Sequence, residues 1–320
     1  MLAAATNLFP VWVVLGGVLA LVEPALFTWF RGPLIVWGLA TIMLGMGITL
    51  SFADFRRVVR VPRPIALGFA AQFCLMPLLA YSIARGLSLP VPLAVGLILT
   101  GTCPGGTASN VVTYIARASL PLSVLMTMCS TLGAVVLTPL LTEWLAGSLV
   151  PVDGWGLFSS TLQVVVLPVL LGITLNHFAP RVVDVVSPVA PLVAVVAIVL
   201  IVASIIGQSA DEVIRAGASL LTAVLLLHGG GFLLGYLLAQ LLGYDETVRR
   251  TVSIEVGMQN SGLAVVLARQ HFADPLTAVP GAISSVAHSV LGSVLAGVWR
   301  ARTGVAREPR ADPFGARRGP

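Results

Sequence analysis

The chain has 320 residues, of which 57% are apolar and only 10% charged, and its mean hydropathy is +0.99. An average soluble domain is about 25% charged, and no core of this size could hide so much apolar surface, so a soluble globular protein is excluded. All 18 basic residues are arginines, the net charge is +5, and the arginines fall between apolar runs; they read as an orientation signal and exclude a nucleic-acid footprint.

The first segment, Met1 to Asn7, carries no positive charge. It lacks the n-region of a cleavable signal peptide, so the first apolar run is expected to stay as a helix. A membrane-spanning helix needs about 20 apolar residues. Runs of that kind cover 8–29, 33–52, 62–85, 90–116, 121–146, 154–177, 186–208, 215–242, 248–270 and 275–298. Polar and turn residues divide them, among them Asp54 to Pro64 and Pro180 to Pro188. Proline stands just inside the run at 33, 64, 92, 121 and 275, where its missing N–H costs least. Residues 301–320, rich in Arg, Pro and Gly, are expected to form a disordered cytoplasmic tail.

Charge placement tests the count of ten. With the N-terminus in the cytoplasm, 14 arginines fall inside and four (Arg31, Arg85, Arg215, Arg269) outside. That is the bias of a correct topology, and dropping a middle helix would scatter it. Both termini are therefore expected on the cytoplasmic side of the lipid bilayer. Five runs lie in 1–150 and five in 151–300, an odd number per half, which inverts the second half relative to the first. The three cysteines, Cys74, Cys103 and Cys129, lie in apolar runs and match neither a disulfide framework nor a zinc site.

The fourth and ninth runs are interrupted. Gly101-Thr102-Cys103-Pro104-Gly105-Gly106-Thr107-Ala108-Ser109-Asn110 cannot continue a regular helix. Glu255-Val256-Gly257-Met258-Gln259-Asn260-Ser261-Gly262 makes a second polar, Gly-containing break, and each break is followed by a short apolar stretch ending in Ala-Arg. Broken helices at matching places in two halves are the sequence mark of a transporter binding site, because backbone groups freed in lipid must line a cavity or bind something.

Glu255 is the one carboxylate expected deep in the membrane; Glu23, its nearest rival, precedes Pro24 near a helix end. A charge there costs roughly 3 kcal/mol, and no intramembrane Lys or Arg is available, so its partner is a bound cation or a proton. Ser123, Thr127, Ser130 and Thr131 form one stripe on the fifth helix. With Ser109, Asn110, Gln72, Gln259 and Asn260 they offer hydroxyl and amide oxygens suited to a hard cation such as sodium. The tenth helix adds Ser284, Ser285, His288, Ser289 and Ser293, and His228 lies among glycines. Ser109, His288 and Glu255 do not make a hydrolase, since no nucleophile elbow is present, and an enzyme is not expected.

The run Thr102 to Asn110, followed by Leu122-Ser123 and Met126-Thr127, together with Glu255 to Gly262, resembles the bile acid:sodium symporter family, and in particular its bacterial members. The resemblance covers about 10–300. It implies an all-α polytopic membrane protein with ten transmembrane helices in two inverted five-helix repeats. Helices 1, 2, 6 and 7 would form a panel domain; helices 3–5 and 8–10 would form a core domain in which broken helices 4 and 9 cross. It implies two transported sodium ions, one held by Ser109, Asn110, Ser123, Thr127 and Glu255. The other would be held by Gln72, Glu255, Gln259 and main-chain oxygens near Val256 and Met258. An organic anion, a bile acid or small carboxylate, would lie near Thr107, Asn260, His288 and Ser289. Several relatives have Asn where Ser289 stands and Cys where Thr102 stands, departures that bear on the substrate rather than on sodium. The implied activity is sodium-coupled symport by alternating access in a bacterial inner membrane, with no obligate protein partner. A proton-coupled exporter of similar fold and a passive channel are the alternatives.

Overall fold

The computed structural model describes residues 8–302, and among them every regular element is a helix, with no β-strand. The expected uncharged N-terminal segment 1–7 and residues 303–320 of the expected tail lie outside the described residues. Ala301 and Arg302, placed in the tail from sequence, instead complete the last helix.

The helices in chain order are α1 (Phe9–Val22), α2 (Pro33–Ile48), α3 (Phe52–Arg60), α4 (Pro62–Gly86), α5 (Val91–Thr102), α6 (Ala108–Ile115) and α7 (Leu120–Ala146). After them come α8 (Gly154–Phe178), α9 (Pro180–Val186), α10 (Ala190–Gln208), α11 (Ala210–Leu241), α12 (Glu246–Gly257), α13 (Ser261–His271) and α14 (Val279–Arg302). Among the described residues, six helices are long and apolar enough to cross a membrane: α4, α7, α8, α10, α11 and α14 with its leading turn. A seventh crossing arises if α2 and α3, bent by 71° at their junction, count as one. The remaining apolar helices are shorter, α1 and α5 among them.

Two departures from the sequence reading have local causes. The expected divider Asp54 to Pro64 is mostly helix α3, started where the Asp54 carboxylate accepts from the Ser51 N–H at 2.8 Å and hydroxyl at 2.7 Å. The divider Pro180 to Pro188 likewise holds α9, opened by Pro180 at its first position. Both are too short and too polar to register as apolar runs.

In lipid, helices gain little from hiding apolar side chains from one another, so close packing and hydrogen bonds must hold the bundle. Trp37, Trp144, Trp155 and Phe178 are accordingly left exposed on its outside. Helices α1, α2, α8 and α10 pack on each other, while α4, α5, α7, α11, α12 and α14 form a second group. The α2–α8 contact depends on Gly47 facing Gly172: a Cβ on Gly47 would stand 2.3 Å from the Val169 carbonyl oxygen. Hydrogen bonds cross the bundle as well. Asn176 on α8 donates to the Leu50 carbonyl at 2.8 Å, and Ser204 on α10 donates to the Phe30 carbonyl at 2.5 Å.

Candidate functional site

The fourth and ninth apolar runs each become two helices with an unwound link. Cys103 leaves α5 in an extended conformation (φ −69°, ψ 157°). The residue before a proline is pushed out of the helical region, and Pro104 follows. Met258 leaves α12 in the same way (φ −113°, ψ 107°). The two links pass each other antiparallel. The Gly106 N–H donates to the Met258 carbonyl at 2.8 Å, and the Asn260 N–H donates to the Pro104 carbonyl at 2.7 Å. Each break thus satisfies backbone groups that the other has freed, which removes a cost of several kcal/mol per group in lipid. Gly106 is required for that approach, since a Cβ there would stand 2.6 Å from the Gln259 carbonyl oxygen.

On one side of the crossing lies Glu255, 3% exposed. Its Oε1 accepts from Ser109 Oγ on α6 at 2.6 Å and from Ser123 Oγ on α7; its Oε2 accepts from Thr127 Oγ1 at 2.8 Å. The spacing of Ser123 and Thr127, one turn apart, brings both hydroxyls to one carboxylate. Ser123 is also bonded to Asn110 Oδ1 at 2.9 Å and receives the Thr113 hydroxyl at 3.2 Å. No Lys or Arg forms an ion pair with Glu255 among the described residues. Gln72 Nε2 on α4 donates to the Cys103 carbonyl at 2.8 Å and to Gln259 Oε1 at 2.6 Å, and Gln259 Nε2 donates to the Val256 carbonyl at 2.9 Å. The structure therefore brings Ser109, Asn110, Ser123, Thr127 and Glu255 into one network. It links Gln72, Gln259 and Val256 in a second network on the same link, where the Met258 carbonyl takes the Gly106 N–H.

The other side of the crossing faces a cavity. Gly106, Thr107, Ala108, Asn260, Ser261, Ser285 and His288 line its inner part, with Phe9, Leu39 and Ile201 opposite. An adjoining space of about 230 Å³ shares Phe9, Ile42, Thr107, Ala108 and Ile198 with it and extends past Asn110 toward Thr49, Ala190 and Pro191. It separates α1, α2 and α10 from α6 and α7. At the opposite end of the bundle, Arg269 Nη2 at the end of α13 donates to Gln208 Oε1 on α10 at 2.5 Å.

Thr107, Asn260 and His288 of the sequence-derived anion set thus meet at this cavity. Ser289 is not among the lining residues; its hydroxyl donates to the Ser285 carbonyl one turn back at 2.5 Å. Asn260 caps α13 by accepting the Leu263 N–H at 3.1 Å, whereas no side chain caps the start of α6. The Ser261 hydroxyl and both ring nitrogens of His288 are buried without a hydrogen-bond partner among the described residues. The His228 ring lies 5.1 Å from His288 and bonds to the Gly257 carbonyl at 2.8 Å and to Ser284. Sequence reasoning missed Thr113, although it stands one turn after Ser109 on the same face of α6. No cluster of His, Cys, Asp and Glu able to hold a metal occurs among the described residues; the donors here are oxygens.

The model of the sodium bile acid symporter family matches residues 36–216. Among similar curated proteins is the probable sodium/metabolite cotransporter BASS1 of Arabidopsis thaliana chloroplasts, 52% identical over 93% of this chain and 74% of its own length. The rice chloroplast protein named probable sodium/metabolite cotransporter BASS2 is 48% identical over 93% of this chain and 71% of its own. The sodium-dependent transporter YocS of Bacillus subtilis, described as uncharacterised, is 44% identical over 91% of this chain and 90% of its own.

Proposed function

Because the chain belongs to the sodium bile acid symporter family, and is an integral membrane transporter and not an enzyme, we propose that it couples sodium entry to symport of an organic anion. The observation that carries the reading is Glu255, buried and bonded to hydroxyls from two helices at the crossing of two broken helices, with no cationic side chain paired to it among the described residues. An ionised carboxylate in lipid needs a counter-charge, and hydroxyl, amide and carbonyl oxygens suit a hard cation.

One sodium ion is held by Ser109, Asn110, Ser123, Thr127 and Glu255. A second is held by Gln72, Glu255, Gln259 and the carbonyls of Val256 and Met258. Glu255 serves both, so ion occupancy fixes how the two links cross. The anion binds on the cavity side at Thr107, Asn260 and His288, with Ser289 reaching it only after a rotamer change. The uncapped start of α6 presents N–H groups and a positive dipole end to its carboxylate. The apolar walls opposite favour a carboxylate, bile acid or smaller, with an apolar body.

The reading includes ten crossings, with α1, α2, α5–α6 and α12–α13 added to the six long helices. Residues 1–150 and 151–300 form inverted halves, with α1, α2, α8 and α10 as the panel and the rest of the bundle as the core. Both termini are cytoplasmic, in the inner membrane of a bacterium. In that orientation the cavity opens inward and the Arg269–Gln208 bond closes the outer end. Rocking of core against panel exchanges the two.

Purified protein screened against small carboxylates with and without sodium tests this. Anion binding that requires sodium, and that Glu255→Gln removes, is the expected result. Currents without sodium-coupled accumulation would favour a channel, and uptake driven by pH alone a proton-coupled exporter.

A further inference from the structure

The divider between the second and third apolar runs is a helix with three separate faces. Successive residues turn by about 100°, which puts Phe55, Val58 and the buried Asp54 of α3 against the bundle. Phe52 and Val59 form an outward apolar edge, 53% and 79% exposed. Beside that edge stand Arg56 and Arg60, with Arg57 further round and Arg63 just beyond the helix, all four exposed. Arg57 is paired to Asp54 at 2.9 Å. Arg56, Arg60 and Arg63 have no ion pair among the described residues.

The bend of 71° between α2 and α3 decides where this surface lies. With α2 crossing a bilayer, α3 runs nearly along the membrane plane at one end of the bundle. The Phe52 ring packs on His177 at the end of α8 (5.3 Å between centroids), and His177 packs on Phe178 at 4.7 Å. This aromatic group ties α3 to the end of α8, where the apolar run 154–177 stops. An in-plane helix with an apolar edge at acyl depth and arginines beside it matches a phospholipid with an anionic headgroup. A soluble polyanion would engage the arginines but leave Phe52 and Val59 in water.

We propose that α3 and Arg63 bind anionic phospholipid headgroups. The helix is the covalent link from α2, which packs with α1, α8 and α10, to α4, which packs with α5, α7 and α11. Lipid bound there holds the joint between two parts of the bundle.

The test uses the full chain in vesicles of phosphatidylcholine and phosphatidylglycerol in equal parts. Spin-labelled forms of each lipid report which one the protein immobilises. The wild type is expected to select phosphatidylglycerol several-fold, with the preference falling as salt is raised. Arg56→Gln/Arg60→Gln/Arg63→Gln loses most of the preference, and Arg56→Lys/Arg60→Lys/Arg63→Lys keeps it. Arg85→Gln/Arg215→Gln, at charges elsewhere on the bundle, also keeps it. Should the glutamine triple fail to fold, each single glutamine variant loses part of the preference. Equal immobilisation of the two lipids by the wild type overturns the proposal. So does an undiminished preference in the glutamine variants, or a phosphatidylglycerol preference unaffected by salt.

Discussion

The two sides of the helix crossing are built from opposite materials. Behind it, around Glu255, every partner is an oxygen, and the hydroxyls of Ser109, Ser123 and Thr127 all reach one carboxylate. In front of it, facing the cavity, His288 and the Ser261 hydroxyl are buried without a hydrogen-bond partner among the described residues, and α6 begins without a side-chain cap. A buried polar group without a partner costs about 1–3 kcal/mol, a cost that a ligand can remove. The difference supports the proposed assignment of the sides: a carboxylate ringed by oxygens suits a cation, and a face with unpartnered polar groups suits an anion. The two sides share Gln259, which bonds Gln72 behind the crossing and also lines the cavity; on the proposed reading, filling one side bears on the other.

Removing the charge of Glu255 is expected to have the largest effect, because no other charged side chain bonds into this network among the described residues. Glu255→Gln is expected to lower sodium-driven uptake by about 100-fold or more, read as initial rate in proteoliposomes, because the counter-charge for sodium disappears. Gly106→Ala comes next. The new Cβ has to displace the Gln259 carbonyl, which is expected to destabilise the fold by about 2–4 kcal/mol, seen as a fall in Tm with loss of uptake. Thr127→Val removes one charge-assisted hydrogen bond, worth about 1.5–3 kcal/mol. It should raise the half-saturating sodium concentration by roughly tenfold or more while leaving anion contacts intact. His288→Phe sharpens the other side. It is expected to raise KM for the anion severalfold without changing the stabilisation by sodium, and an equal effect on both would merge the two sides into one site.

Much of this was legible from sequence because the membrane makes polar residues costly. Glu255, Ser123 and Thr127 stood out as oxygens in apolar runs, and Pro104 with its glycines announced a break. Other features were hidden. The pairing of Gly106 with Met258 is a backbone contact between residues far apart in the chain, which no local pattern encodes. Thr113 was masked by the general habit of membrane threonines to bond within their own helix. Helix α3 was read as a divider because its apolar residues occupy an edge and a buried face rather than a run. Ser289 shared the spacing of His288 yet turned back onto its own helix.

The proposed function depends above all on sodium binding at Glu255. Its most direct test is the Tm of purified protein as sodium replaces choline at fixed pH and ionic strength, for the wild type and for Glu255→Gln. Saturable stabilisation of the wild type, absent from the variant, is the predicted result. A wild-type Tm indifferent to sodium but responsive to pH, or a variant stabilised as much as the wild type, would contradict it.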